Sequence, residues 1–163
     1  LNIRPGSLEV SGRYVFDSHG AGRDLDVLYP IPESGGMGPA RVVEALIRCP
    51  GTPERRLAVK RTDLGASWTL PFQISKRCEV TIRYRQSLNG TRAEYLLRTA
   101  RGWSTPIEQA KFIVLLPPGF SMTRASYPFR LVAKDRNRSV YVHEETSFAP
   151  DDDLVIEWVP ASS

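Results

Sequence analysis

Hydrophobic and polar positions alternate with a period of two along almost the whole chain. Leu8, Val10, Gly12, Tyr14 and Phe16 fall on one side of the alternation and Glu9, Ser11 and Arg13 on the other, the signature of a half-buried strand. Leu25, Val27 and Tyr29 against Asp24 and Asp26 repeat it. The polar and Gly-rich run from Asp17 to Gly22 between them predicts a hairpin. Pro30 and Pro32 end that second strand, and the Gly-rich segment 33–39 predicts an exposed loop. Further strands are predicted over 42–49, 56–61, 68–74 and 78–86. Asn89-Gly90 then signals a tight turn into a return strand over 93–98. Residues 110–116, 124–133, 139–145 and 154–159 complete the set, with Asp135 to Arg138 turning between two of them. Helical periodicity is confined to a short turn over 106–110, and most of the 13 prolines sit at strand ends. The reading is an all-β protein: an antiparallel, immunoglobulin-like β-sandwich of about ten strands. It forms one domain over 1–163, or alternatively two small sandwiches over 1–90 and 91–163.

Composition adds limits. Hydrophobic residues make up 41% and charged residues 25%, which is a globular balance. No apolar run approaches the ~18 residues of a membrane helix. The chain begins at Leu1 without a leader, as expected of a processed protein or an excised domain. With 22 basic and 18 acidic residues the net charge of +4 is modest and mixed in sign, so bulk charge does not call for nucleic acid. The two cysteines, Cys49 and Cys78, either close a loop of about 30 residues as a disulfide, which would point to an oxidising compartment, or stand as two buried thiols.

Two segments resemble a known group. Val10 to Pro32, VSGRYVFDSHGAGRDLDVLYPIP, has the layout of the opening hairpin of uncharacterised bacterial exported β-sandwich domains and, more distantly, of the inter-alpha-trypsin-type domains of vault proteins. Tyr95 to Pro117, YLLRTARGWSTPIEQAKFIVLLP, is similar to the Tyr-strand, Gly-Trp and Pro-Ile pattern of the first group. The chain departs from it in the first turn, where Asp17 replaces the usual Asn. The resemblance implies a β-sandwich in the cell envelope, periplasmic or at the cell surface, and brings no catalytic residues with it.

Candidate chemistry begins with YVHEETSFAPDDD, residues 141–153, which joins one histidine to five carboxylates. His143-Glu144 opens like the zinc motif H-E-x-x-H, but Ser147 stands where the second histidine belongs, and the segment alternates like a strand. Asp151 to Asp153 could offer oxygens to calcium, yet no spaced D-x-D-x-D-G loop exists, and a solvated acidic turn is the simpler expectation. No G-x-S-x-G elbow or phosphate-binding glycine loop is present, and Glu44, Glu94, Glu108 and Glu157 are an ordinary set of acids for such a chain. No catalytic residue, metal site or cofactor is therefore assigned. Of the tryptophans, Trp158 falls in the inward series Leu154, Ile156, Trp158, whereas Trp103 lies in a turn-like stretch where an indole could meet a ligand. Arg83 and Arg85 share one strand face, with Arg101 beyond the Asn89-Gly90 turn. A stripe of guanidinium groups on a sheet can hold planar anions. Trp103, Arg83, Arg85 and Arg101 are the candidate binding residues. The function expected is a non-catalytic interaction or scaffolding module whose partner is another envelope protein; the alternatives are a carbohydrate-binding module using Trp103 and neighbouring arginines, with acidic polysaccharide as a ligand, and, third, a small hydrolase.

Overall fold

The computed structural model describes residues 1–17, 24–71, 77–102 and 105–161. Among them the fold is all-β, with fourteen strands and one short 3-10 turn, Arg98–Gly102. The strands are β1 (Asn2–Arg4), β2 (Ser7–Asp17), β3 (Leu25–Pro30), β4 (Arg41–Arg48), β5 (Arg55–Arg56), β6 (Lys60–Thr62), β7 (Gly65–Leu70), β8 (Arg77–Ser87), β9 (Arg92–Tyr95), β10 (Ile107–Leu116), β11 (Phe120–Ala125), β12 (Arg130–Lys134), β13 (Ser139–Phe148) and β14 (Leu154–Pro160). No helix of the described residues is long and apolar enough to cross a membrane. The chain forms two compact units, each assembled from separated segments.

The first unit comprises Leu1–Glu9, Pro32–Pro39 and Gln86–Ser163. One of its sheets runs in the order β12, β13, β10, β1, followed by the opening residues of β2; the other runs β11, β14, β9. Pairing is antiparallel except where β1 meets β10, Asn2 opposite Leu115. Period-two alternation explains the second sheet: Leu154, Ile156 and Trp158 point inward and are almost fully buried, while Val155 and Glu157 between them are not. Burying each such apolar side chain contributes about 1.5–3 kcal/mol.

The second unit comprises Val10–Ile31 and Ala40–Arg85. Here the later part of β2, then β8, β4 and β5 lie side by side, and β3, β7 and β6 form a separate antiparallel sheet. On β8 every second residue, Cys78, Val80, Ile82 and Tyr84, is buried. Cys49 and Cys78 are bonded, tying the end of β4 to the start of β8. Tyr29 packs against Tyr14, Trp68 and Tyr84 with ring centroids about 6 Å apart, within the range of favourable aromatic pairs. Gly65, at φ 144°, lies where an added Cβ would sit 2.3 Å from the Tyr29 carbonyl, so the β6–β7 turn requires glycine.

Several expectations need correction. There are fourteen short strands among the described residues, not about ten, because 56–61 divides into β5 and β6, 124–133 into β11 and β12, and the unpredicted β1 precedes them. The expected hairpin of β2 with β3 does not form. β3 pairs along its whole length with β7, from Leu25 opposite Leu70 to Pro30 opposite Gly65, where Trp68 and Ala66 bury beside Tyr29. The Asn89-Gly90 turn exists, with Gly90 at φ 105°, but the strand after it pairs with β14 rather than returning along β8. Residues 36–38 occupy that place instead: Gly38 N donates to Ser87 O, Asn89 N donates to Gly36 O, and Met37 bridges Leu88. The helical turn expected at 106–110 is the start of β10, and the actual 3-10 turn lies earlier. The Asp135–Arg138 turn forms as expected, the Asp135 carboxylate accepting the amides of Asn137 and Arg138.

Candidate functional site

The alternation that buries Cys78, Val80, Ile82 and Tyr84 turns Arg77, Glu79, Thr81, Arg83 and Arg85 to the opposite face of β8. Register carries that face across the second unit. Glu44 stands opposite Arg83, Arg41 opposite Arg85, and Arg48 opposite Glu79 on β4. Arg56 of β5 stands opposite Leu46. Arg13 of β2 reaches Glu79 at 2.9 Å, which places Arg13, Val15 and Asp17 on the same side. Among the described residues of the second unit, seven arginines, at positions 13, 41, 48, 56, 77, 83 and 85, thus share one sheet face with three carboxylates, Asp17, Glu44 and Glu79, and Glu9 continues the same phase of β2. The aromatic residues of these strands, Tyr14, Phe16 and Tyr84, fall on the other side of the alternation.

The two glutamates share a geometry. Glu79 is held between Arg13 and Arg48, each at 2.9 Å, and Glu44 between Arg56 at 2.5 Å and Arg83 at 3.7 Å. Both carboxylates are largely covered, 19% and 21% exposed, while the arginines around them are 58–74% exposed. Each acid is therefore a half-sunk anion under two solvent-facing guanidinium groups. At such exposure each pair contributes at most about 1 kcal/mol to stability. Arg41 is different. It is exposed, faces another arginine across the strand pair, and makes no ion pair with any described residue. Like charges directly opposite one another on neighbouring strands destabilise a sheet.

The first unit carries a second cluster of charge. The outer face of the sheet β11, β14, β9 forms an open cleft of about 280 Å³ lined by Arg92, Glu94, Arg98, Arg124, Ser126, Asp152, Asp153, Val155 and Glu157. Glu157 stands between Arg92 and Arg124 in register, and Arg92 lies 3.4 Å from Glu94 and 3.9 Å from Glu157. Asp153 is buried at the floor, accepting the amides of Leu97 and Arg98 at 2.8 and 2.9 Å and the Arg98 Nε at 2.8 Å. Burial alone would raise the Asp153 carboxyl. The Arg98 and Leu97 amides and the Arg98 guanidinium outweigh burial and hold it below the usual carboxylate range.

The stretch 141–153 resolves into structural roles. His143 is buried among the rings of Phe112, Tyr127, Phe129 and Phe148; its Nδ1 lies 3.2 Å from the Pro128 carbonyl and its Nε2 3.3 Å from Glu145. Glu144 faces outward, and Lys111, with Arg130 assisting, holds it below the usual carboxylate range. Asp153 anchors the 97–98 backbone, as described. Among the described residues no group of three or more histidine, cysteine, aspartate or glutamate side chains is placed to hold a metal ion.

The candidates named from sequence divide accordingly. Arg83 and Arg85 lie together on the arginine face. Arg101 is in the 3-10 turn of the first unit, and its side chain, like Trp103 and His19, lies outside the described residues. Trp68 and Trp158 are core residues, each 4% exposed. Sequence reasoning missed Arg13, Arg41, Arg48, Arg56 and Arg77 as members of the face. Arg13, Arg48 and Arg56 lie on predicted strands, which was a usable signal, whereas Arg41 and Arg77 fall just before the predicted strand starts, and which strands are neighbours was not legible. No family model matches the chain, and neither a curated protein nor a solved structure matches it.

Proposed function

We propose that this chain is a non-catalytic interaction or scaffolding module of an exported cell-envelope protein, built on immunoglobulin-like β-sandwich architecture, and that its contact surface is the arginine face of the second unit. The observation that carries the reading is the excess of arginine on that face: among the described residues of the second unit, seven guanidinium groups stand against three carboxylates, with Arg41 opposite Arg85. A rigid sheet tied by a disulfide presents these groups in fixed register, so a complementary acidic surface on a partner is attracted and aligned. The Cys49–Cys78 bond supports an oxidising, extracytoplasmic setting. Partner capture from an envelope extract of the source organism, with identification by mass spectrometry, tests the reading. A protein retained by the native chain and lost with Arg83→Glu/Arg85→Glu, at unchanged circular dichroism, is the expected result. Retention indifferent to that charge reversal would overturn the assignment of the surface.

A further inference from the structure

At the edge of the first unit's larger sheet, β12 pairs with β13 on one side and, among the described residues, with no strand on the other. Of the described strands longer than three residues, it alone has every residue exposed. An edge kept only for solubility would carry charge throughout. β12 instead holds Leu131 and Val132, 50% and 48% exposed, between Arg130 and Lys134. The exposed turn that follows adds Arg136 and Arg138. Its one acid, Asp135, accepts the amides of Asn137 and Arg138, while on β13 Glu144 is shared by Lys111 and Arg130 and Glu145 lies beside His143. We infer that β12 is a second contact site, at which an extended polypeptide segment with aliphatic residues between two acids adds as a further strand of the sheet. The inference does not rest on the arginine face, which belongs to the other unit.

Backbone and side chains each narrow the occupant. An edge strand turns a row of N–H and C=O groups outward, and an extended polypeptide is the ligand that answers both in register. Charge then excludes a copy of this strand. Antiparallel pairing of β12 with itself would set Arg130 against Lys134 at both ends, and parallel pairing would set each beside its own kind; like charges so placed destabilise a sheet. An acid at each end of the incoming segment turns the same positions into attraction. Arg130 and Lys134 are four residues apart, about 13 Å along a strand, which the ends of a five-residue extended segment match. Aliphatic residues between the acids would cover Leu131 and Val132 from water, a source of affinity that a purely acidic peptide lacks. The register shift between Leu131 and Ala133 marks a bulge, which keeps the edge from serving as a long flat template.

The test uses the whole chain, isotope-labelled, and the peptide acetyl-Glu-Val-Leu-Val-Glu-amide, whose side chains read the same in either direction. At about 20 mM salt, where screening is weak, the amide resonances of residues 130–134 should shift, and hydrogen exchange should slow on the β12 amides that point away from β13. N-methylating one alternating set of peptide amides should abolish binding, while methylating the other set should change it less than about threefold. Lys134→Glu should weaken binding about tenfold at unchanged circular dichroism, whereas Lys60→Glu, an equal reversal on the exposed β6, should change it less than about twofold. Acetyl-hexaglutamate, the acidic probe of the arginine face, has no aliphatic side chain and in equimolar amount should not displace the peptide. Equal binding of the two methylated peptides would overturn strand addition. Equal losses with Lys134→Glu and Lys60→Glu, or displacement by hexaglutamate, would overturn the second site in favour of diffuse attraction or the arginine face. Phosphatidylglycerol vesicles that shift residues 130–134 where the peptide does not would overturn the polypeptide class and assign the edge to an anionic lipid surface.

Discussion

The arginine face of the second unit and the charged cleft of the first are built from the same ingredient and differ in how it is balanced. In the cleft, Arg92 leans on Glu94 and Glu157, and Arg98 is locked to a buried Asp153 that also closes two backbone amides. Its three arginines meet four acids, Glu94, Asp152, Asp153 and Glu157. On the sheet face, among the described residues of the second unit, seven arginines meet three acids, and one of the arginines, Arg41, is set against another. The number of guanidinium groups therefore says little about recognition. What matters is whether the fold supplies the carboxylates itself. Where it does, charge serves the fold, as at Asp153; on the proposed contact face, Arg41 has no ion pair with a described residue and is left to solvent.

Variants break or sharpen this contrast, beginning with the largest effect. Replacing both cysteines, Cys49→Ala/Cys78→Ala, frees β4 from β8 and is expected to cost about 3–4 kcal/mol in the chain-entropy account of a loop this long. Urea denaturation would measure it, and hexaglutamate affinity should fall with it because the register of Arg41 and Arg85 loosens. Next, Asp153→Asn removes the charge that gathers Leu97, Arg98 and the Arg98 side chain, for about 1–3 kcal/mol. It should also flatten the acid limb of stability. The Asp153 carboxyl is depressed in the folded state, so its contribution is in place above the unfolded value of about 3.9 and is lost as pH falls through the folded value. Denaturation midpoints between pH 5 and 2 would show a shallower decline in the variant.

Smaller in energy but opposite in sign, Arg41→Gln should stabilise the chain by about 0.2–1 kcal/mol, raising the melting midpoint by about 1–3 °C, while weakening acidic ligands. A destabilised Arg41→Gln would mean that the arginine serves the fold after all. The smallest effect is expected at Arg124 in the cleft, which stands opposite Glu157 and makes no ion pair with a described residue. Arg124→Gln should alter stability by no more than about 0.5 kcal/mol and leave hexaglutamate affinity within twofold.

How far the sequence reached follows from what periodicity measures. Alternation reports which side of a strand is buried, so Cys78 to Tyr84, Leu154 to Trp158 and the outward phase of Arg83 and Arg85 were legible directly. It does not report the neighbour. β3 alternates as a partner of β2 would, yet it pairs with β7, and the strand after Asn89-Gly90 joins β14 because residues 36–38 take the edge it would have used. The site suffered from the same blindness. Arg13, Arg41, Arg48 and Arg56 come from three strands, and only their register places them beside Arg83 and Arg85. The acidic stretch at 144–153 misled in the other direction: dense in sequence, it is dispersed in space, with Glu144 on Lys111, Glu145 beside His143 and Asp153 beneath Arg98.

The most direct test of the central claim is an arginine Nε–Hε nuclear magnetic resonance titration of the whole chain with acetyl-hexaglutamate at low salt. The account predicts that the Arg41, Arg83 and Arg85 resonances shift first and most, while Arg92, Arg98 and Arg124 stay in place. If the cleft arginines moved first, or all arginines drifted together in proportion to their exposure, the sheet face would not be the site of recognition.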